Sequence, residues 1–299
     1  MISVAAKHDN SVLTLTANGQ VRKHALCQAM KSVTIIVPTR SEVENIGPLV
    51  SQIVASAIPF HEILFVDDGS IDGTRDLIRS LSSIHSIRLI DQDRAVPGLA
   101  AAVMAGARAA EGRFLLIMDA DLSHPPERIK DLLRPLLNGT ADMVIGSRYV
   151  EGGSTAHWPL WRRTLSRAGS ALAYSVTGVR DSMCGFFAIE CARLLEIAPP
   201  AVGFKLAFET IVRANPPLRV REIPIEFRDR ARGQSKMSLA IAIRFFGQWS
   251  LAVLRRSLAR DFHSSERDRS AQRWESDALS DQMPERSAPA FALPSAIDK

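Results

Sequence analysis

Residues 114–121 are FLLIMDAD, an uninterrupted apolar run followed directly by two aspartates one residue apart. A short apolar run of this kind is typical of a strand buried on both faces of a parallel sheet. The polar residues that follow then lie at the carboxyl end of the strand, where open α/β sheets bind their ligands. The stretch therefore predicts a fold class and the place of a site within it.

Strand and helix patterns alternate on both sides of this stretch. Other short apolar runs predict strands at 33–38, 62–66, 87–90 and 142–146, and helical periodicity predicts helices at 42–57, 71–82, 98–110 and 125–137. The alternation predicts an α/β fold with a mostly parallel sheet and helices on both faces. Beyond residue 148 the pattern continues less regularly, with a helix at 159–176, a strand at 185–190, a helix at 204–214 and a strand at 218–224.

The chain divides by composition into four parts. Residues 1–31 are polar and predict a flexible leader without the pattern of a signal peptide, and 32–238 carry the α/β domain. Residues 239–258 predict an amphipathic helix, and 259–299, rich in Ser, Arg, Asp and Pro, predict a disordered tail. Arg244 lies in the middle of this helix and would be costly to bury in a bilayer. We therefore expect the helix to lie in a membrane interface rather than span the bilayer. Packing on the protein's own sheet or an oligomer contact is the alternative.

Charge is distributed unevenly along the 299 residues, of which 46% are apolar and 23% charged. Residues 31–147 have a net charge of −4, and residues 148–236 a net charge of +6. This asymmetry favours a metal contact in the first half and phosphate contacts in the second, with scattered surface charge as the alternative. The three cysteines include no CxxC pair, which argues against a disulfide framework or a zinc ribbon and indicates a reducing compartment.

Two acidic motifs at predicted strand ends are candidate sites. Asp119 and Asp121 have the spacing to share a hard cation such as Mg²⁺ or Mn²⁺, with a solvated acidic turn as the alternative. After the strand at 62–66, Asp68 is placed to accept hydrogen bonds from a base or a ribose. Ser70 is expected to cap the next helix, and His124 to cap the helix after the DxD motif.

A set of basic residues in the second half predicts phosphate binding, because guanidinium groups match phosphate oxygens. Its members are Arg148, Arg162, Arg163, Arg228, Arg230, Arg232 and Lys236. The segment 228–236 is predicted to be a mobile loop that closes over an anion. The chain carries no zinc-finger or RNA-binding aromatic motif, which argues against nucleic acid, and no GxGxxG after the first strand, which argues against a dinucleotide-dependent dehydrogenase.

Together these motifs resemble a known family. They are VPTRSE at 37–42, VDDGS at 66–70, MDADLSHP at 118–125, GSRY at 146–149 and RARGQSK at 230–236. Over about residues 32–240 the chain resembles the family 2 inverting glycosyltransferases of GT-A fold, and among them the dolichyl- or polyprenyl-phosphate mannose synthases. The chain departs from the family's sequence pattern at two places. It has Arg40-Ser41 where the family often has Tyr-Asn, and Ser123 where the family often has a glutamine that contacts the metal. Many members also carry C-terminal membrane spans, which the pattern here lacks.

The resemblance implies a role for each matching residue. A nucleotide pocket would be lined by Pro38, Arg40, Glu42, Val66 and Asp68. The metal and the diphosphate would be held by Asp119, Ala120 and Asp121, with Ser123 as a further metal contact. The donor and acceptor phosphates would be contacted by Arg148, Arg162, Arg230 and Lys236.

The function implied is metal-dependent, inverting transfer of a hexose, most simply mannose from GDP-mannose, to polyprenyl or dolichyl phosphate. A UDP-sugar donor of glucose or N-acetylglucosamine is the alternative within the class, and a catalytically silent scaffold of a membrane glycosylation complex is the alternative outside it. A phosphate monoester is largely a dianion at pH 7, because its second pKa is about 6, so no general base is expected. We expect the protein on the cytoplasmic face of a membrane, as a peripheral protein with a membrane protein as a further partner.

Overall fold

A computed structural model describes residues 32–92, 97–155, 158–197 and 205–228, together with 247, 249 and 250. The chain separates into two compact units, Met1–Trp249 and Ser250–Lys299, and the fold described below is that of the first. Its strands are β1 (Val33–Thr39), β2 (Glu62–Asp67), β3 (Ile87–Asp91), β4 (Phe114–Ile117), β5 (Met143–Ser147), β6 (Phe187–Glu190) and β7 (Val220–Pro224). Its α-helices are α1 (Val43–Ala55), α2 (Thr74–Ser82), α3 (Leu99–Ala109), α4 (Ile129–Leu137), α5 (Leu160–Thr177), α6 (Cys191–Ile197) and α7 (Leu206–Arg213).

The strands form one sheet in the order β3-β2-β1-β4-β6-β5-β7. β1 pairs in parallel with β2 and β4, β2 with β3, and β5 with β7, whereas β6 runs antiparallel to both β4 and β5. The prediction of a mostly parallel sheet is confirmed. β6 runs in the opposite direction because the chain enters it beside the carboxyl end of β5. At that end, Asp181 accepts the backbone N–H of Arg148.

The sheet changes direction between β1 and β4. From β1 the chain steps outward to β2 and β3, and then returns through α3 to place β4 on the other side of β1. Because such crossovers are right-handed, α1 and α2 lie on one face of the sheet and α3 on the other. The crevice beyond the carboxyl ends of β1 and β4 is therefore the topological switch point, the usual ligand site of open α/β sheets.

Tight packing on β1 and β2 positions this crevice. Ile36, Leu64 and Leu116, one on each of the three adjoining strands, are fully buried. A side chain at Gly106 of α3 would bring its Cβ to 2.9 Å from Ile36 Cγ2 and 3.0 Å from Val66 Cγ2, so a glycine lets the helix approach the sheet. The strand ends are thus held by a rigid core.

Most predicted elements lie within a few residues of the observed ones, with two differences. The helix predicted at 125–137 begins as a 3₁₀ turn, Pro126–Arg128, because Pro125 precedes this turn and Pro126 is its first residue. The sequence pattern missed α6, which follows β6 with no intervening loop. Nearly all of the predicted leader, interfacial helix and tail lies outside the described residues. Within the part that is described, no helix has the length and apolar content to cross a membrane.

Candidate functional site

The carboxyl ends of β1, β2 and β4 lie side by side at the switch point. Thr39 at the end of β1 pairs with Asp67 at the end of β2, and its carbonyl accepts the N–H of Asp68 at 2.9 Å. On the other side, the N–H of Met118 donates to Ile36 at 3.1 Å, which extends the pairing of β4 with β1. Both predicted acidic motifs therefore face one crevice edge.

Asp67 is a structural residue at this edge. Its buried carboxylate accepts the N–H of Ser70 at 2.8 Å, the hydroxyl of Ser70, and the hydroxyl of Thr39 at 3.2 Å. The Ser70 hydroxyl in turn accepts the N–H of Ser41 at 2.8 Å, so β1 and β2 are tied together beyond their last ladder bond.

The predicted capping role of Ser70 is wrong, because its hydroxyl is used in that network. The carboxylate of Asp72 instead serves the start of α2, accepting the Thr74 N–H at 3.1 Å and the Thr74 hydroxyl at 2.6 Å. Burial alone would raise the pKa of Asp72, but these hydrogen bonds and the N–H of Val43 outweigh it and hold that pKa below its usual value of 3.8.

The residues predicted to line a nucleotide pocket come together here. Asp68, next to the buried Asp67, ion-pairs with the exposed Arg40 at 3.3 Å. Glu42 accepts the side-chain amide of Asn45 at 2.7 Å. Pro38 pairs in register with Val66, whose side chain is fully buried, so only the backbone of Val66 can face a ligand.

The DxD motif lies on a tight turn after β4. The side chain of Asp119 is 33% exposed, whereas Asp121 is buried and accepts the N–H of Ser123 at 3.1 Å. Ala120 is buried between them, and Leu122 adopts a left-handed conformation with φ of 63° that reverses the chain.

The oxygen atoms of this turn suit a hard divalent cation. Ser123 is fully buried, and its hydroxyl oxygen has no hydrogen-bond partner, which is costly unless a ligand satisfies it. Two carboxylates and a hydroxyl are the donors that Mg²⁺ or Mn²⁺ prefers. Across the described ranges, no group of three or more His, Cys, Asp or Glu side chains surrounds a metal position, so substrate phosphates and water would complete such a shell.

His124 packs against the DxD turn and hydrogen-bonds to its backbone. Its Nδ1 accepts the backbone N–H of Asp119 at 2.9 Å, so the predicted helix-capping role is wrong. The buried ring stacks on Phe186, with centroids 5.0 Å apart, and meets Phe227 edge-on at 5.6 Å. A Cβ at Gly185 would lie in ordinary contact, 3.5 Å from both Asp119 Oδ1 and His124 Cε1, so the backbone of residue 185 lies directly beside this arrangement.

Arg148, predicted to contact phosphates, is committed to a buried ion pair. Its Nε and Nη2 donate to Asp181 at 2.8 and 2.7 Å, and its side chain is only 9% exposed. Burial alone would lower the pKa of Arg148, but the charge and hydrogen bonds of Asp181 outweigh it and raise that pKa above its usual value. Because removing one partner of such a pair costs about 3–5 kcal/mol, Arg148 organises this loop whatever else it contacts.

The other predicted cations differ in where they lie. Arg162 lies over the ring of Trp158, 3.9 Å from its centroid, and Arg148 lies 5.4 Å from the same ring. Arg230 and Lys236 lie outside the described residues. Arg228, where the predicted loop begins, donates its backbone N–H to the Ser123 carbonyl at 3.2 Å, and its guanidinium ion-pairs with Glu127. The loop therefore starts beside the DxD turn.

Lys205 was not predicted from the sequence, although it lies beside the site. Its ammonium donates to the Met183 carbonyl at 3.3 Å. Burial and the charge of Arg148 lower the pKa of Lys205, against the opposing charges of Asp181, Cys184 and Asp119. The signal available in the sequence was a single lysine directly before helix α7. Burial also raises the pKa of the neighbouring Cys184 thiol to about 12, so this cysteine stays protonated.

Comparison with known proteins identifies relatives over most of the chain. Residues 34–195 match the family model described as Glycosyl transferase family 2. A dolichol-phosphate mannosyltransferase of Pyrococcus furiosus is 37% identical over 212 residues, 69% of this chain and 59% of the relative. The aligned part thus spans under two thirds of that relative. An undecaprenyl-phosphate mannosyltransferase of Micrococcus luteus is 36% identical over 238 residues, 74% of this chain and 95% of the relative.

Solved structures share the fold at lower identity. Glucosyl-3-phosphoglycerate synthase of Mycobacterium tuberculosis, crystallised with Mn²⁺, UDP and glucosyl-3-phosphoglycerate, superposes with a TM-score of 0.59 at 20% identity, over 81% of this chain and 86% of that one. The same enzyme with UDP alone has a TM-score of 0.60 at 18% identity, over 80% and 86% of the two chains. At this identity the likeness establishes the fold alone.

Proposed function

The chain belongs to glycosyl transferase family 2, and we propose that it transfers a hexose from a nucleotide diphosphate sugar to the phosphate of a polyprenol. Family membership and the GT-A type of fold confirm what the motifs predicted. The proposed donor is GDP-mannose and the proposed transferred sugar is mannose. Relatives named dolichol-phosphate and undecaprenyl-phosphate mannosyltransferases support this choice. The observation that carries the proposal is the DxD turn at the switch point, with an orphan buried hydroxyl beside two carboxylates.

The proposed nucleotide pocket lies at the ends of β1 and β2. Asp68 is placed to accept hydrogen bonds from the base or ribose, in exchange for its contact with Arg40. The exposed guanidinium of Arg40, where the family often has an aromatic ring, can stack on a base through its flat face. Pro38, Glu42 and the backbone of Val66 form the rest of the pocket in this proposal.

The proposed diphosphate site is the DxD turn. A divalent cation bound there would offset the charge that develops on the leaving diphosphate. Asp119 and Asp121 would hold it, with Ser123 as a neutral oxygen donor and Ala120 against the diphosphate. His124 fixes the backbone of Asp119, so the first carboxylate is held in place before substrate binds.

The acceptor needs positioning rather than deprotonation. A phosphate monoester has a second pKa of about 6, so at pH 7 its oxygen is already a nucleophile. The protein must hold this dianion against a second anionic group, which is a task for cations. Arg162, Arg230 and Lys236 are proposed to contact the phosphates, while Arg148 shapes the loop through Asp181.

A peripheral membrane contact is part of the proposal. The start of α5 exposes Leu160, Trp161 and Leu165, with Trp161 65% exposed, next to Arg163. Apolar and aromatic side chains interleaved with arginine favour an interfacial position at an anionic membrane, together with the segment 239–258. The described cysteines are free, which is consistent with the cytoplasmic face, and a membrane-protein partner could cover the same surface.

Product analysis tests the proposal directly. The full chain is incubated with Mg²⁺ or Mn²⁺, polyprenyl phosphate and radiolabelled GDP-mannose, UDP-glucose or UDP-N-acetylglucosamine in parallel, and the lipid is extracted. Label in the lipid only from GDP-mannose is the expected result, with Asp121→Asn as the inactive control. Calorimetric binding of a donor without lipid label from any of the three would establish a silent scaffold instead.

A further inference from the structure

Lys205 lies directly before α7 and beside the DxD turn. Its ammonium donates to the carbonyl of Met183 at 3.3 Å. Two residues further along, a Cβ at Gly185 would lie 3.5 Å from Asp119 Oδ1, so this backbone segment runs past the first carboxylate of the motif. Lys205 and Asp119 therefore border the same short stretch of backbone.

The ammonium of Lys205 has no anion in contact with it. In the part of the chain that the structure describes, it takes part in no ion pair, and its bond to Met183 is its one hydrogen bond. The carboxylate of Asp181 is bound by Arg148 instead. An ammonium carries three N–H donors, so two of them are left for water or a ligand.

The charges of the fold do not compensate for the burial of this group. Burial and the charge of Arg148 lower the pKa of Lys205. The opposing charges of Asp181, Cys184 and Asp119 do not restore it to the usual value of 10.5. A desolvated ammonium is stabilised when an anion contacts it directly. The anion that fits this position is one that a substrate brings to the DxD turn.

We propose that Lys205 is a further catalytic residue, whose ammonium donates a hydrogen bond to an oxygen of the β-phosphate of the nucleotide sugar. The assignment rests on the proposed function, which places the diphosphate of the donor beside Asp119. None of the residues that the sequence motifs assign to the phosphates includes this lysine.

The chemistry of the transfer gives this contact a role in the rate. An oxygen of the acceptor phosphate forms a bond to the anomeric carbon, and the bond from that carbon to the β-phosphate oxygen breaks. The electron pair of the broken bond stays on the diphosphate, which gains one negative charge, while Lys205 keeps its proton. A fixed ammonium stabilises this added charge more than it stabilises the bound donor, and therefore accelerates the step.

Calorimetry of the full chain with GDP and with GMP, both at saturating Mg²⁺, tests the contact. Lys205→Met keeps a long unbranched side chain without the charge. It should bind GDP about tenfold or more weakly, because a charge-assisted hydrogen bond is lost. Its affinity for GMP, which has no β-phosphate, should be unchanged. Lys130→Met, the matched control, removes an exposed lysine of α4 and should change neither affinity.

Two results of this titration would overturn the contact. One is a GDP affinity of Lys205→Met equal to that of the wild type. The other is equal weakening of GDP and GMP, which would show that the substitution disturbs the pocket as a whole.

Mn²⁺ binding in the absence of nucleotide separates a contact with the diphosphate from support of the metal ligands. Removing a positive charge near Asp119 should leave the Mn²⁺ affinity of Lys205→Met unchanged or raised, as measured by electron paramagnetic resonance of free Mn²⁺. A lower Mn²⁺ affinity would show that Lys205 holds Asp119 in place, and would overturn the proposed contact.

The rate of sugar transfer gives the last readout. The kcat of Lys205→Met should fall by about tenfold or more, because the lost interaction is strongest in the transition state. Lys205→Arg, which keeps the charge and the donors, should recover part of it. An arginine variant as slow as the methionine variant, or an unchanged kcat in Lys205→Met, would contradict the role in the rate.

The same assay distinguishes this inference from the proposed function. Wild-type protein that transfers no label to lipid would contradict the proposed function. Wild-type transfer that Lys205→Met retains in full would contradict only the role of Lys205.

Discussion

Two strand ends in this protein carry similar sequence, an apolar strand followed at once by two aspartates, and the structure uses them differently. At the end of β2, Asp67 is buried in hydrogen bonds to Ser70 and Thr39, while Asp68 faces the crevice. At the end of β4, Asp121 accepts the backbone N–H of Ser123, and Asp119 keeps a third of its side chain exposed.

The spacing of the aspartates explains the difference. Adjacent residues of an extended chain point to opposite sides, so Asp67 turns inward to build the loop and Asp68 outward. Asp119 and Asp121 lie on the turn that follows β4, where the left-handed Leu122 folds the chain back and the N–H of Ser123 donates to Asp121. The β2 end thus uses one carboxylate to hold the fold together, whereas the β4 end carries two carboxylates and a hydroxyl on one short turn.

The largest expected effect breaks the β4 end. Asp121→Asn should reduce sugar transfer by about 10²-fold or more, because a metal ligand is weakened, while the amide oxygen still accepts the Ser123 N–H and preserves the fold. Transfer to lipid at saturating Mg²⁺, together with Tm, measures both. Near-normal turnover in a folded variant would show that the metal assignment is wrong.

The next prediction reverses the roles at the β2 end. Asp67→Ala should lower the free energy of unfolding by about 3 kcal/mol, because it leaves the buried N–H of Ser70 and the hydroxyl of Thr39 without their acceptor. Asp68→Ala should change it by less than about 1 kcal/mol, since its ion pair with Arg40 is largely exposed.

Urea unfolding gives the stability, and calorimetry with GDP-mannose gives the affinity. The donor should bind about tenfold more weakly to Asp68→Ala, because a hydrogen bond to a charged group is lost. Equal stability loss in both variants would remove the distinction between an inward and an outward aspartate.

A smaller effect sharpens the role of His124 beneath the DxD turn. His124→Phe retains an aromatic ring between Phe186 and Phe227 but removes the acceptor for the Asp119 N–H, and should weaken Mn²⁺ binding by about tenfold. In His124→Asn, the amide oxygen can replace Nδ1 and restore part of that affinity. Electron paramagnetic resonance of free Mn²⁺ measures this without turnover, and equal affinity in all three proteins would leave His124 a packing residue.

The smallest expected effect concerns the turn after β2. Asp72→Ala removes the acceptor for Thr74 and should lower the free energy of unfolding by about 1 kcal/mol at pH 7. Because the folded pKa of Asp72 lies below 3.8, its contribution is complete above that pH and is lost as pH falls through the folded pKa. Unfolding curves of wild type and variant should therefore converge in acid, and a gap that persists at pH 2 would contradict this.

Much of the fold follows from local pattern. The buried strands β1, β2 and β4 are read from short apolar runs, and the site positions Asp68, Asp119 and Asp121 from the polar residues that end them. These features depend on the pattern of apolar and polar residues, which can be read from neighbours along the chain. Family membership could likewise be predicted from the sequence, because each motif that indicates it is a short contiguous stretch.

Pairing between distant residues could not be read in this way. Asp181 lies 33 residues after Arg148, and no local pattern marks it as the partner that buries this arginine. The reversal of β6, the use of Ser70 and His124 as internal partners, and the position of Lys205 have the same origin.

The sequence by itself determined which residues carry charge and where strands end, because those properties are local. Only the tertiary structure decided which of the charged groups are neutralised inside the protein. Arg148 and Arg167 look alike as basic residues of the second half, yet one is buried against Asp181 and the other is exposed along a cleft. The physical reason is that desolvation and ion pairing depend on what lies across the fold, and not on what lies next along the chain.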